Sequence, residues 1–174
     1  MAIPTEPIGS IPRSQELVAG MQAFGTGQIG RQEMDALFRM ALADTIQRFE
    51  ATGSPVITDG EQTKPSFATY PIHGLANLAP DGVTIPFVDG HTRQLPRLTT
   101  RPFQYATYAA SYLEAAKQLA RVPVKQAVIS ASALSLLYPG DGIDGYPREE
   151  FIADLLRENE ADIRRCLDQG AYNV

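Results

Sequence analysis

The chain has 174 residues, enough for one ordinary domain with a hydrophobic core. Its net charge of −5 and pI near 5.0 exclude an overall electrostatic attraction to nucleic acid or anionic membranes. No apolar run reaches the ~18–20 residues that a membrane-spanning helix needs, and "MAIPTEPIGS" lacks the basic and apolar regions of a signal peptide. Because Cys166 is the single cysteine, an intrachain disulfide is excluded and we expect a cytoplasmic protein.

The first third of the chain predicts a strand followed by two helices. "TEPIGSIPR" is typical of a buried strand that leads into a tight loop. "SQELVAGMQAF" predicts a helix with Ser14 as its N-cap. The apolar face predicted for this helix consists of Leu17, Val18, Met21 and Phe24. A second helix is predicted from Arg31 to about Thr52, with Gly53 as its C-terminal cap.

The glycines between these helices, "GTGQIG" from Gly25, have the G-x-G-x-x-G spacing of a dinucleotide-binding loop. Asp44 and Glu50 lie near the distance expected for a ribose-binding acid. However, a Rossmann loop must leave a strand, and this one follows a predicted helix. We therefore interpret the glycines as a link between two helices.

The middle of the chain is predicted to form further β–α units with an insertion between them. "SPVITDGE" predicts a short buried strand with a polar loop at its end. From Phe67 to Phe103, alternating apolar and polar residues are broken by "PDG" and "VDG", which predicts one or two β-hairpins. A helix is then expected from near Gln104 to residues 121–123. "VKQAVISASALSLL" predicts the next strand and its exit loop.

The last helix is expected to open at Pro147, a favourable first-turn residue, and to run to Gly170. Its apolar face is predicted from six residues: Ile152, Leu155, Leu156, Ile163, Cys166 and Leu167. "AYNV" then begins another strand. This order predicts an α/β fold, specifically about the first half of a TIM (β/α)₈ barrel, which needs roughly 250 residues, with a hairpin excursion after the second strand. We expect residues 1–174 to form one incomplete barrel domain without a second domain.

Chemistry in β/α folds is carried by the carboxyl ends of the strands. Three such places carry candidate residues: the first strand end with Ile8, Gly9, Ser10 and Arg13; the second with Asp59, Glu61 and Lys64; the third with Ser130, Ser132 and Ser135. Each also admits a structural role. Asp59 is suited to a turn, Glu61 to a solvated surface, Arg13 to pairing with Glu16, and the serines to packing and turns.

A metal site is not indicated by the residues themselves. His73 and His91 fall in the hairpin insertion and are expected to be exposed or locally hydrogen-bonded. Cys166 lies on the apolar face of the last helix and is expected in the core. No ligand spacing joins these three residues.

Three segments together resemble one family: "IGSIPR" near the start, "VITDGEQTKPSF" in the middle, and "YPREEFIADLLRENEADIRRCLDQGAYNV" at the end. In order and spacing they are similar to the cobalamin-independent methionine synthase family (5-methyltetrahydropteroyltriglutamate–homocysteine methyltransferase). The resemblance is to its catalytic C-terminal barrel and its single-barrel relatives, and it extends over essentially the whole chain.

The resemblance implies a methyltransferase of methionine biosynthesis that moves a methyl group from a folate-type donor to the thiol of homocysteine. A catalytic zinc would lower the pKa of that thiol. By position, Ile8, Gly9 and Ser10 would contact the amino-acid end of homocysteine, and Glu61 would hold its ammonium group. Arg13 and Asp59 would support this site from nearby.

The chain departs from the family in two ways. The family's zinc ligands, an H-x-C pair and a further cysteine among them, lie in the second half of the barrel and are expected beyond Val174. These residues then supply no metal ligand and no catalytic residue, and we expect them to be inactive alone. The family's tryptophan after the third strand is also missing from "LSLLYPG", which leaves the methyl donor open.

Two further hypotheses remain. A related zinc-dependent transferase would act on another thiol, such as coenzyme M. A non-catalytic half-barrel would act by association, forming a homo-oligomer through its open sheet edges. None of the three hypotheses involves nucleic acid or a membrane as partner.

Overall fold

A computed structural model of the chain describes residues 5–174. The described residues form two compact units. The first comprises residues 5–64, Ala109–Ala127 and Cys166–Val174, and the second comprises Pro65–Tyr108 and Val128–Arg165. The fold is mixed α/β, as the sequence predicts.

The first unit contains three helices: α1 (Gln15–Gly25), α2 (Arg31–Ala51) and α3 (Ala110–Leu119). Ser14 caps α1 as predicted, because its hydroxyl accepts a hydrogen bond from the Leu17 amide at 3.1 Å. Gly20 faces Leu37 of α2 so closely that an added Cβ would collide with the leucine side chain. The buried face of α1 is therefore formed by Leu17 and Gly20, while Val18 and Phe24 of the predicted face are exposed.

Parallel pairing in the first unit is confined to one bridge, between Ile57 and Val124. The Ile57 amide donates to Pro123 O at 3.0 Å, and the Lys125 amide donates to Ile57 O at 2.9 Å. On the far side, the Tyr172 amide donates to Val124 O at 2.8 Å. The segments predicted as the second, third and following strands thus lie side by side. A barrel is not seen in the described residues, because these segments stay too short and irregular to form continuous ladders.

The second unit contains the predicted hairpin insertion. Its four short strands are β1 (Leu78–Ala79), β2 (Thr84–Pro86), β3 (Thr92–Gln94) and β4 (Arg97–Leu98). β2 pairs antiparallel with β3, and β1 pairs antiparallel with β4, so that one hairpin lies inside the other. Two helices follow: α4 (Ala131–Leu134) and α5 (Arg148–Asp168), the last of which continues into the first unit.

Helix α3 begins at Ala110, later than the pattern near Gln104 predicts. The backbone amides just before it are used elsewhere. The Tyr105 amide donates to a Glu158 carboxylate oxygen at 3.0 Å, and the Ala106 amide donates to Pro71 O at 2.7 Å. Tertiary partners therefore hold this stretch extended against its helical pattern.

The buried side of α5 differs from its predicted apolar face. Leu156 and Leu167 are 55% and 50% exposed. The stripe that is buried recurs every three or four residues and carries two acids: Phe151, Leu155, Glu158, Asp162 and Cys166. Cys166 is buried as expected.

Candidate functional site

The first and second predicted strand ends come together in the first unit. Gly9 is buried, and a Cβ added to it would lie only 2.9 Å from Glu61 Oε1. Its neighbours Ile8 and Ser10 are exposed to solvent. Asp59 is 1% exposed and Glu61 is 4% exposed, so the interpretation of Glu61 as a solvated surface acid is wrong. Glycine at position 9 is what allows a carboxylate to lie against the first strand end.

A tight turn places the Glu61 side chain. The Thr58 hydroxyl donates to Gly9 O at 3.2 Å and accepts from the Gly60 amide at 3.0 Å. Asp59 Oδ1 accepts from the Glu61 amide at 2.9 Å, the turn role that the sequence admits for this aspartate. Both Gly60 (φ 60°) and Glu61 (φ 56°) adopt left-handed backbone. For a glutamate this conformation costs of the order of 1–2 kcal/mol, which the surrounding contacts must offset.

Arg13 stabilises the far side of the same turn. Its guanidinium donates to three backbone carbonyls, those of Glu61 at 3.0 Å, Gln62 at 3.2 Å and Lys64 at 2.5 Å. Burial lowers the pKa of Arg13, and the adjacent Glu61 carboxylate opposes that shift. Arg13 therefore supports the loop by binding main-chain oxygens.

Lys64 adds a buried positive charge to the surroundings of Glu61. Lys64 is fully buried, and its Nζ donates to Ala127 O at 2.6 Å, at the end of the third predicted strand. Burial raises the pKa of Glu61, the charge of Lys64 opposes this rise, and Asp59 adds to it. Desolvation by burial is the largest of these effects on the pKa of Glu61. The carboxyl group is therefore a stronger proton acceptor than that of an exposed glutamate.

Gln126 belongs to this network, although the sequence gives no signal for it. Its side chain is 1% exposed, and its Nε2 donates to Asp59 Oδ2 at 3.3 Å. A single glutamine within an apolar strand pattern matches no motif. Only the fold, which brings the third strand beside the second, could identify it.

We expect Glu61→Gln to be more stable than the native chain at pH values above the raised folded pKa of Glu61, and to approach the stability of the native chain as pH falls below 4.5. The folded pKa of Glu61 lies above its ordinary value of 4.5. The stability that proton binding contributes is full below the unfolded pKa and is lost as pH rises through the folded pKa. Urea unfolding at a series of pH values measures the difference in the free energy of unfolding between the variant and the native chain. Glu16→Gln removes the same charge from an exposed position on α1. If Glu16→Gln changed the free energy of unfolding with pH as much as Glu61→Gln does, burial of Glu61 would not be the cause.

The third predicted strand end gives its serines a structural role. Ser130 caps α4, because its hydroxyl accepts from the Ala133 amide at 3.3 Å. Ser135 donates to Ser132 O at 2.8 Å. These contacts agree with the interpretation of the serines as turn residues.

A second buried polar cluster lies in the second unit, on α5. The Tyr70 hydroxyl donates to Asp162 Oδ2, and both side chains are fully buried. The Tyr108 hydroxyl donates to Glu158 Oε2 at 2.6 Å. Burial, together with this hydrogen bond, raises the pKa of Tyr108 to about 12. These acids accept hydrogen bonds from tyrosines, and we assign them to the packing of α5.

Metal ligands are not assembled among residues 5–174. In this range no group of three or more His, Cys, Asp or Glu side chains could hold a metal ion. His91 Nδ1 lies 2.5 Å from Asp89 Oδ1 in an exposed turn, and His73 is exposed, as expected for both. The described residues do not fit the zinc that the family resemblance implies. Among residues 5–174, none of the helices combines the length and the hydrophobicity that a membrane span requires.

The described fold matches solved methionine synthases over half of their length. A B12-independent methionine synthase from Shewanella sp. W3-18-1, solved with selenomethionine, aligns with 97% of this chain and 49% of its own, with a TM-score of 0.71 and 16% identity. A candidate vitamin-B12-independent enzyme from Listeria monocytogenes covers 95% of this chain and 48% of its own, with a TM-score of 0.65 and 20% identity. At these identities the matches establish the fold.

Sequence comparison points to the same enzymes. The 5-methyltetrahydropteroyltriglutamate–homocysteine methyltransferase of Saccharophagus degradans is 32% identical over 68 residues, which is 39% of this chain and 9% of that protein. That of Vibrio cholerae is 31% identical over 74 residues, 42% of this chain and 10% of the relative. The chain is distantly and partially similar to cobalamin-independent methionine synthase. No protein-family model matches it. The predicted resemblance to the cobalamin-independent methionine synthases is thus confirmed, and the matched segment spans about a tenth of the curated relatives.

Proposed function

We propose that this chain supplies the amino-acid-binding half of a cobalamin-independent methionine synthase-like methyltransferase, as the first half of a TIM barrel. One observation carries the proposal: the buried Glu61 carboxylate lies against Gly9, where two predicted strand ends meet. Glu61 would bind the ammonium group of homocysteine, and Ile8, Gly9 and Ser10 would contact its amino-acid end. Asp59 and Arg13 would hold the loop that carries Glu61.

Charge favours homocysteine over coenzyme M as the thiol. Homocysteine carries an ammonium group, whereas coenzyme M carries a sulfonate anion and no ammonium. Arg13 donates to main-chain carbonyls and Lys64 to Ala127 O, while the carboxylates of Asp59 and Glu61 are acceptors. The Glu61 carboxylate itself binds a cationic amine more readily than an anion.

The proposed function also concerns the methyl donor and the metal of the complete enzyme. The relatives' name includes a folate-type donor, 5-methyltetrahydropteroyltriglutamate, and we propose a donor of this type. Because the described residues do not fit a zinc site, we assign to them substrate binding alone and no catalytic step. The chain alone is then expected to be inactive in methyl transfer.

We expect L-homocysteine to bind the chain with an affinity that Glu61→Gln lowers about tenfold, the loss of one charge-assisted contact. A titration followed by ligand-observed NMR measures it under reducing conditions, with and without EDTA. Affinity should not change with EDTA, because these residues are proposed to bind the amino-acid end and not the metal.

Glu16→Gln is the matched control and should leave affinity unchanged, because Glu16 is exposed on α1. Tighter binding of coenzyme M than of homocysteine would favour the alternative transferase. A chain that binds neither thiol but sediments as an oligomer would favour the half-barrel that acts by association.

A further inference from the structure

The side-chain oxygen of Gln126 is a buried acceptor without a donor. Gln126 is 1% exposed, and its Oε1 has no hydrogen-bond partner among the described residues. Nearly all buried polar atoms in folded proteins are hydrogen-bonded, so an orphaned one beside a candidate site calls for an explanation.

The orientation of this amide is fixed by its neighbours. Its nitrogen faces two acceptors, Asp59 Oδ2 at 3.3 Å and Ala127 O at 3.5 Å. Rotating the amide by half a turn would place oxygen against these oxygens. The nitrogen must therefore stay where it is, and Oε1 remains available to a donor.

Gln126 is joined to the candidate site through three of its residues. Asp59, which accepts from Gln126, also accepts from the Glu61 amide at 2.9 Å. The carbonyl of the next residue, Ala127, accepts from Lys64 Nζ at 2.6 Å. The Ala127 Cβ lies 3.5 Å from where a Cβ of Gly9 would be. The Gln126 side chain thus shares Asp59 with the turn that carries Glu61, and its chain neighbour Ala127 contacts Lys64 and the Gly9 position.

We propose that Gln126 is a specificity-determining residue for substrate, and that its Oε1 accepts an N–H from the ammonium group of the amino-acid ligand. This inference rests on the proposed function and extends it. A primary ammonium has three donors. Glu61 accepts one and supplies the charge, and the neutral Gln126 accepts a second without adding a further negative charge beside Asp59. Ligands that lack the amine would leave the Gln126 oxygen unsatisfied and gain nothing from it.

The test compares three ligands on the full chain by ligand-observed NMR titration. L-Homocysteine carries both amine and thiol, L-homoserine carries the amine without the thiol, and γ-mercaptobutyrate carries the thiol without the amine. Gln126→Met should weaken the two amines about tenfold and leave γ-mercaptobutyrate unchanged, because only the amines use Oε1. Gln118→Met, at an exposed position on α3, is the matched control and should change none of them.

Gln126→Asn provides a second variant that keeps an amide in this position but draws its oxygen back by one methylene group. It should also weaken both amines and leave γ-mercaptobutyrate unchanged, so a Met variant that folds poorly does not decide the test. Equal weakening of all three ligands by Gln126→Met, or no weakening of any, would overturn the proposal, as would a native chain that binds no amine.

The outcomes separate this inference from the proposed function. Homocysteine binding that depends on Glu61 but not on Gln126 would overturn the inference and leave the proposed function standing. Amine binding that depends on Gln126 but is unchanged by Glu61→Gln would support the inference and contradict the role that the proposed function gives to Glu61.

Discussion

Replacement of Lys64 by methionine is expected to lower the free energy of unfolding by about 3 kcal/mol, because it removes a buried cation beside buried acids. Lys64 is fully buried, and its Nζ both donates to Ala127 O at 2.6 Å and lies 5.8 Å from the centre of the Tyr112 ring. Its charge also opposes the rise in the pKa of Glu61. Without it, Ala127 O loses a donor and the pKa of Glu61 rises further. Urea unfolding at neutral pH measures the loss.

Lys117→Met is the matched control for this variant. Lys117 Nζ also donates to a backbone carbonyl, that of Gln169 at 2.5 Å, but the lysine is exposed on α3. We expect its replacement to cost less than about 1 kcal/mol. Adding Glu61→Gln to Lys64→Met should restore about 1–2 kcal/mol of the lost free energy of unfolding. Residue 61 is then neutral and no longer needs the positive charge of Lys64. Strictly additive effects would show that Lys64 does not stabilise Glu61.

Tyr70→Phe is expected to lower the free energy of unfolding by about 2 kcal/mol, the second largest effect on stability expected here. The Tyr70 hydroxyl donates to Asp162, and both side chains are fully buried in the second unit. Burial and the neighbouring Asp162 raise the pKa of Tyr70 above its ordinary value, so the hydroxyl keeps its proton and remains a donor at neutral pH. Phenylalanine fills the same volume but leaves the Asp162 oxygen with one donor fewer. Urea unfolding again gives the difference.

Tyr172→Phe removes a hydroxyl from a tyrosine that is 60% exposed and serves as the control. It should change the free energy of unfolding by less than about 0.5 kcal/mol. A Tyr70 variant as stable as this control would mean that the hydrogen bond to Asp162 contributes nothing net. Asp162 would then be held by its other contacts.

Helices were the most predictable part of the fold, because capping and periodicity are local. Ser14 marks the start of α1, and Gly53, with φ 74°, follows the end of α2. The start of α3 was misplaced because Glu158, far away in sequence, binds the Tyr105 amide. The apolar face of α5 was wrong for a similar reason. Tyrosines bind its acids, so Glu158 and Asp162 are buried where a charged residue is expected outside.

The candidate site was predictable as a set of strand ends but not as a geometry. Gly9, Asp59 and Glu61 were identified from their places in the chain, and the fold brings them together. The burial of Glu61 could not be predicted from the neighbouring residues, since the glutamate of "TDGE" is equally suited to a solvent-exposed position. Gln126 was missed because its importance lies in one unsatisfied atom. Whether these residues bind homocysteine stays a prediction.

The left-handed backbone at Glu61 bears on the entropy of binding. Asp59, Arg13 and the turn fix the main chain on both sides of this residue before any ligand arrives. A flexible glutamate would lose rotamer freedom when it bound an amine, at about 0.5–1.5 kcal/mol for such a side chain. Here the side chain is buried against Gly9, so much of that ordering takes place during folding. The strain at φ 56° is therefore a form of preorganisation, in which conformational stability is exchanged for affinity.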